Sequence, residues 1–221
     1  MTVASFSSIQ KSSGPVRRPL ILGVGGTFRE NSNSERALDL ALAAAAGMGA
    51  EVVRFGAGKL GLPLYNPHEV HRSPESEELV GLLDRCDSAI FSSPSYHGTV
   101  SGTVKNAIDY AEDLVERGAS YLQDKAIGCI GCGSGWQGAV GALNTLRSIA
   151  HALRAWPTPM GVAINTSQPM FAADGRCLDA RLADQLQLVG RQVATFAWVR
   201  HNFMESTITE TGDISAICQA K

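Results

Sequence analysis

The sequence lacks an excess of charge of either sign: 19 Lys and Arg stand against 21 Asp and Glu, a formal net charge of −2. Without a basic surplus or a basic patch, no nucleic-acid partner is expected. No stretch approaches the about 20 uninterrupted apolar residues that cross a bilayer, so no membrane span is expected. Cysteine is scarce and odd in number: Cys86, Cys129, Cys132, Cys177 and Cys218 are widely scattered. That excludes the disulfide framework of a small secreted protein. Residues 1 to 19 are rich in Ser and carry Lys11, Arg17 and Arg18 but no apolar run. They read as a disordered tail rather than a signal peptide, and a cytoplasmic protein is expected. His68, His71, His151 and His201 stand at no metal-ligand spacing, and Pro67 and Pro74 put the first two in a loop, so no metal is expected.

What is present is an alternation of apolar runs. Leu20–Val24 is a short buried strand ending in glycines, and Ser34–Ala46 is an Ala- and Leu-rich helix stopped by Gly47. Glu51–Phe55 is a second strand and Glu77–Cys86 a helix. Ala89–Ser93 is a third strand, and a helix over 102–116 carries Val104, Ala107, Ile108, Ala111, Leu114 and Val115 on one stripe. Lys125–Gly131, a helix over Ala139–Leu153, Met160–Ile164 and a helix over Asp179–Arg200 complete the series, with polar, frayed residues expected after Met204. Five β-α units predict an α/β fold, a parallel sheet with helices on both faces. Five strands fit the flavodoxin-like order 2-1-3-4-5, a three-layer sandwich, better than a six-stranded dinucleotide fold. One domain over 20–203 is expected, with a flexible tail over 204–221. Ligands of such sheets bind beyond the carboxyl ends of the strands, so the loops after strands one, three and four carry the functional expectation.

The first of these reads Gly23-Val24-Gly25-Gly26-Thr27-Phe28-Arg29-Glu30-Asn31-Ser32-Asn33-Ser34. The dinucleotide fingerprint needs glycine at position 28, where Phe28 stands, and no Gly-Lys-Ser/Thr follows for a Walker loop. What remains is a hydroxyl-rich loop entering a helix. Unpaired N–H groups and a partial positive charge at that helix start suit an anion. Thr27, Ser32 and Ser34 can donate hydroxyl bonds and Arg29 a charge-assisted one, which fits a phosphate monoester. The alternative is that Ser32 caps the helix, with Glu35 completing a capping box; both can hold together.

The second loop is Pro94-Ser95-Tyr96-His97-Gly98-Thr99-Val100-Ser101-Gly102, leading into Lys105-Asn106-Ala107-Ile108-Asp109. An aromatic between small residues suits a planar ligand, and Gly98 allows close backbone approach. A Pro- and Gly-punctuated turn with a packed Tyr96 reads the same spacing. The third loop, Gly131-Cys132-Gly133-Ser134-Gly135-Trp136, offers several N–H donors as a nest. Cys129 and Cys132 spell Cys-x-x-Cys, but three residues of strand span about 10 Å. A disulfide needs Cα atoms within about 7 Å, so a core or loop role is expected.

Gly26-Thr27-Phe28-Arg29 with Ser32 and Ser34 resembles the Gly-Ser-x-Arg-x-x-Ser loop of the NADPH-dependent FMN reductases, with Thr27 in place of Ser. The second loop is similar to that family's Pro-Glu-Tyr-Asn-Gly-Ser signature at Pro94, Tyr96, Gly98, Gly102 and Lys105–Asp109, and departs at Ser95 and His97. The third resembles its Gly-rich flavin loop. The resemblance spans roughly residues 20 to 200. It implies FMN held at Thr27, Arg29, Ser32 and Ser34 by its phosphate, and at Pro94, Ser95, Tyr96, His97, Gly98, Thr99, Gly133, Ser134 and Gly135 along its ring. It implies hydride transfer from NADPH or NADH to the flavin, with no side-chain acid or base required. Lys59, Arg72 and Arg117 are candidate contacts for a 2′-phosphate. The acceptor is then a small molecule, or the reduced flavin goes to a partner oxygenase; the family commonly forms homodimers or homotetramers. A flavin-retaining quinone, azo, chromate or nitro reductase and a non-catalytic electron carrier are the competing readings.

Overall fold

The computed structural model describes residues 17–211, with side chains through His201. Six strands are present among them: β1 (Leu20–Gly25), β2 (Glu51–Phe55), β3 (Ser88–Tyr96), β4 (Thr99–Val100), β5 (Ala126–Gly133) and β6 (Trp156–Asn165). Five are parallel neighbours in the order β2-β1-β3-β5-β6, the path expected from sequence. The sixth, β4, pairs antiparallel with the end of β3 and was not foreseen. Two residues are too short a run to show periodicity.

Alternation along the strands divides the interior in two. Leu20, Leu22 and Val24 of β1 join Ala89 and Phe91 of β3 and Ile127 and Cys129 of β5 on one face. They pack against α2 (Pro74–Arg85), α3 (Gly102–Asp109), the 3-10 turn Tyr110–Glu112, α4 (Asp113–Glu116) and α5 (Trp136–Ala152). Ile21, Ile90, Ile130 and Cys132 face α1 (Asn33–Gly47) and α6 (Ala180–Thr211) on the other. Each fully buried aliphatic side chain contributes about 1.5–3 kcal/mol. At Gly23 a Cβ would fall 2.6 Å from Leu42 Cδ1, so α1 lies directly on the strand there.

Cys129 and Cys132 therefore lie on opposite faces of β5, and burial pushes both thiols up to about 12. The expected core role fits this; neither is a redox pair.

Several boundaries move. The helix expected over 102–116 breaks into α3, the 3-10 turn and α4, where Asp113 is bonded to Tyr65 and Arg72 of a distant loop. Strand β6 starts at Trp156, ahead of the expected Met160, with Pro157 and Pro159 within it. It is an edge strand, where missing N–H groups are tolerated. The last helix continues beyond Met204 to Thr211. Arg17, assigned to the tail, pairs with the buried Asp87 at 2.7 Å, and Asp87 also accepts the amide of Leu20 at 2.7 Å. The rest of the two expected tails, 1–16 and 212–221, lies outside the described residues. Among the described residues, no helix is long and apolar enough to cross a membrane.

Candidate functional site

Strands β1, β3 and β5 are adjacent and parallel, so the loops leaving their carboxyl ends are neighbours, about 4.8 Å apart at the strand level. The chain leaves β1 toward β2 and returns across it to β3. That reversal is the switch point where open α/β sheets bind ligands.

The first loop starts with two glycines that no other residue replaces. A Cβ on Gly25 would sit 2.1 Å from Ser92 O, and Gly26 has φ +101. Thr27 Oγ1 accepts the Arg29 amide at 3.0 Å and donates to Arg29 O at 3.1 Å, so this hydroxyl closes the turn. Ser32 is the N-cap of α1, accepting from Glu35 N at 3.3 Å, and its hydroxyl lies 3.3 Å from that of Ser34. Both serines are buried. The capping box is half as expected. Glu35 reaches past Ser32 and accepts the amide of Asn31 at 2.6 Å and that of Ala57 at 3.2 Å. The buried carboxylate thus ties the first loop to the one following β2. The Arg29 side chain is exposed and pairs with no described residue.

The second loop is a hairpin. Tyr96 pairs with Thr99 and Ser95 with Val100, leaving His97 and Gly98 as a two-residue turn with φ 52 and 88. Positive φ at both central positions is the type I′ requirement. Pro94, Ser95 and Tyr96 thus belong to a strand that continues past the main sheet, with Tyr96 and His97 exposed. Ser93 Oγ accepts Ser101 N at 2.9 Å and fixes the return of the hairpin into α3. Ser101 caps α3.

The third loop is Ser134 and Gly135, between β5 and α5. Its preceding carbonyl, Gly133 O, accepts both the amide and the hydroxyl of Thr166, at 2.7 and 3.0 Å. Helix α5 then lies against the hairpin through glycines. A Cβ on Gly138 would fall 3.0 Å from Ser95 Oγ, and one on Gly141 2.5 Å from Gly98 O. Sequence reasoning missed this contact, although Gly138 and Gly141 stand three apart on one helical face. At Gly98 and Gly135 an added Cβ meets nothing within 4 Å, so both turns face open space.

A fourth segment borders the site. Asn106 clamps residues 62–65: Oδ1 accepts Tyr65 N at 2.8 Å and Nδ2 donates to Pro63 O at 2.9 Å. Arg72 forms a bidentate pair with Asp113, both bonds 2.7 Å, and lies over the Tyr65 ring at 4.9 Å. Tyr65 Oη donates to Asp113 at 3.1 Å. Burial, and then this bond to a carboxylate, pushes the Tyr65 phenol up to about 12. Of the cations considered for a 2′-phosphate, Arg72 is committed to Asp113, Lys59 pairs with Glu78 at 2.6 Å and Arg117 with Glu77 at 2.8 Å. Among the described residues no group of three or more His, Cys, Asp or Glu is arranged to hold a metal.

Residues 19–169 match the model of the family described as NADPH-dependent FMN reductase. An NAD(P)H-dependent FMN reductase of Pseudomonas aeruginosa is 31% identical over 186 residues, covering 81% of this chain and 95% of that relative. An NADPH azoreductase of a Bacillus species is 29% identical over 105 residues, covering 47% of this chain and 56% of the relative. Among solved structures, FerB of Paracoccus denitrificans, a flavoenzyme NAD(P)H:(acceptor) oxidoreductase, superposes with a TM-score of 0.65 at 20% identity, covering 81% of this chain and 97% of its own. That likeness speaks for the fold, which is flavodoxin-like. With a family model matched over more than half its length and a relative above 30% identity across most of both chains, this chain belongs to the NADPH-dependent FMN reductase family.

Proposed function

We propose that this protein is an NAD(P)H-dependent flavin reductase that passes a hydride from a nicotinamide to FMN bound across the ends of β1, β3 and β5. The observation that carries the reading is the convergence of three chemically distinct loops at the switch point, two of them open to space at Gly98 and at Gly135.

The residues present suit FMN. Arg29 is an exposed cation on the loop that leads to the Ser32 cap of α1; with the first-turn amides and the hydroxyls of Ser32 and Ser34 it makes up the donor set a phosphate requires. Thr27 contributes by shaping the turn that carries Arg29. Pro94, Ser95, Tyr96, His97, Gly98 and Thr99 supply an edge of hairpin backbone for a planar ring, and Gly133, Ser134 and Gly135 a second edge. When bound, the flavin supplies the hydride-accepting ring. The chain's part is to hold it, to present backbone N–H groups near 98 and 134–135 where negative charge develops, and to leave one face accessible. No side chain is assigned as a proton donor or acceptor.

The nicotinamide is the first substrate. The acceptor is FMN itself or a second small molecule; the azoreductase relative supports a flavin-retaining reductase of organic acceptors as the second reading. Delivery of reduced flavin to a partner oxygenase belongs to the first reading. Phe28, Leu64 and Val70 expose apolar surface on loops, which supports assembly as a homodimer or homotetramer. A cytoplasmic location is part of the proposal. Oxidation of NADPH and NADH by the purified protein, with and without added FMN, tests it. FMN-dependent oxidation is expected; none above a heat-denatured control would overturn the reading. Parallel double-reciprocal lines would favour retained flavin, and intersecting lines its release.

A further inference from the structure

A second concavity lies beside the third loop, between the end of β6 and the start of α6. It has a volume of about 400 Å³ and is lined by Trp136, Ile164, Met170, Arg181 and Leu182, with the amides of Gln168 and Gln185 at its edge. It opens on the carboxyl side of the sheet, where this fold binds ligands. Its volume falls within the about 300–1,000 Å³ of small-molecule sites, and its lining mixes apolar residues with polar and charged ones.

Three features set its chemistry. Trp136 is the first residue of α5 and 63% exposed, so a large indole surface is left beside the cavity without a covering side chain. Met170 adds a thioether contact of the kind aromatic rings accept, alongside the buried Ile164 and Leu182. Arg181 is exposed and makes no ion pair or hydrogen bond through its guanidinium with any described residue. The acid in the lining, Asp179, is turned to its own helix: Oδ1 accepts the amides of Arg181 at 2.9 Å and Leu182 at 3.2 Å. Asn165 Oδ1 likewise accepts Ser167 N at 3.0 Å. Asp179 keeps its own negative charge, held by these two amides, and Arg181 is the charged lining group whose side chain has no described partner.

We propose that this cavity binds a planar aromatic anion, an aryl sulfonate or carboxylate, with its ring against Trp136 and its charged group on Arg181. The site is joined to the third loop, because Thr166 sits between the lining residues Asn165 and Ser167 and donates twice to Gly133 O. It is separate from the flavin assignment, which rests on other residues.

Titration of the full-length protein with 2-naphthalenesulfonate, read by tryptophan fluorescence and by calorimetry, tests the proposal. Saturable one-to-one binding is expected. Arg181→Gln should weaken it about tenfold, the weight of one charge-assisted hydrogen bond. The same variant should leave binding of the neutral 2-naphthalenesulfonamide unchanged. Arg176→Gln, an exposed neighbour outside the cavity, should change neither, and Trp136→Ala should weaken both. No saturable binding, or a sulfonate affinity indifferent to Arg181, overturns the site. So does displacement of the sulfonate by FMN with sensitivity to Arg29→Gln, which would put the sulfonate in the flavin site. A preparation that binds the sulfonate but lacks NAD(P)H oxidation overturns only the reading of the previous subsection.

Discussion

The backbone amide of Asn31 donates to Glu35 Oε2 at 2.6 Å, across the N-cap residue that separates the loop from α1. Asn31 has φ 58, a conformation that asparagine tolerates better than most residues. The same carboxylate accepts Ala57 N and lies 3.3 Å from Arg54 Nη1. Both Glu35 oxygens thus face N–H donors in a site that is 1% exposed. Glu35→Gln should fail as a replacement, since its amide nitrogen must face one of those donors. We expect a loss of about 1–3 kcal/mol of stability in chemical denaturation, the cost of an unsatisfied buried group, together with weaker FMN binding. Unchanged stability would show that the carboxylate is not what holds the loop.

The Arg29 side chain has the opposite character: it is exposed and holds nothing in the described structure. Arg29→Gln should leave the melting temperature unchanged and weaken FMN by about 1.5–3 kcal/mol, with riboflavin little affected. Equal losses for the two ligands in parallel titrations would remove the phosphate assignment.

Glycine to alanine in a helix is stabilising by about 0.5–1 kcal/mol when space allows. At Gly81 of α2 nothing lies within 4 Å of the added Cβ, and Gly81→Ala should raise the melting temperature. At Gly141 of α5 the Cβ would lie 2.5 Å from Gly98 O. Gly141→Ala should lower the melting temperature and reduce flavin affinity by displacing the hairpin. This is a cleaner probe than a branched residue at Gly98, whose φ of +88 would add backbone strain of its own. If Gly141→Ala raises stability as Gly81→Ala does, the contact between α5 and the hairpin is not as described.

The Tyr65 phenol titrates at about 12 rather than its ordinary 10.0, because burial and the Asp113 carboxylate disfavour the phenolate. A folded-state value raised above the unfolded one gives stability that is complete below pH 10 and is lost as pH rises through 12. Wild type should therefore lose more stability across this window than Tyr65→Phe, which has no phenol to ionise. Denaturation of both proteins at pH 9, 10, 11 and 12 measures the difference; parallel pH profiles would show that Tyr65 is not coupled to Asp113.

The sequence by itself determined the order of the layers and the ends of the strands that matter. Apolar runs such as Leu20–Val24, closed by Gly25 and Gly26, can only be buried strands, and the helical stripes between them force a parallel sheet covered on both faces. That logic located the three loops, and the Ser32 cap, from local chemistry alone. Everything that joins the loops was decided by tertiary structure. Glu35 reads in sequence as a partner for Ser32, and only the approach of the loop after β2 brings Ala57 to its second oxygen. The strand β4 exists because Ser95 and Tyr96 carry β3 beyond its pairing with β5, where just two residues find a partner. Gly141 meets Gly98, Arg72 meets Asp113 and Arg17 meets Asp87 across 43, 41 and 70 positions of chain, separations over which no local periodicity carries information. Local patterns specify elements because neighbouring residues share one backbone geometry. Contacts between elements depend on packing depth and register, which exist only once the sheet and its two helical layers have closed on each other.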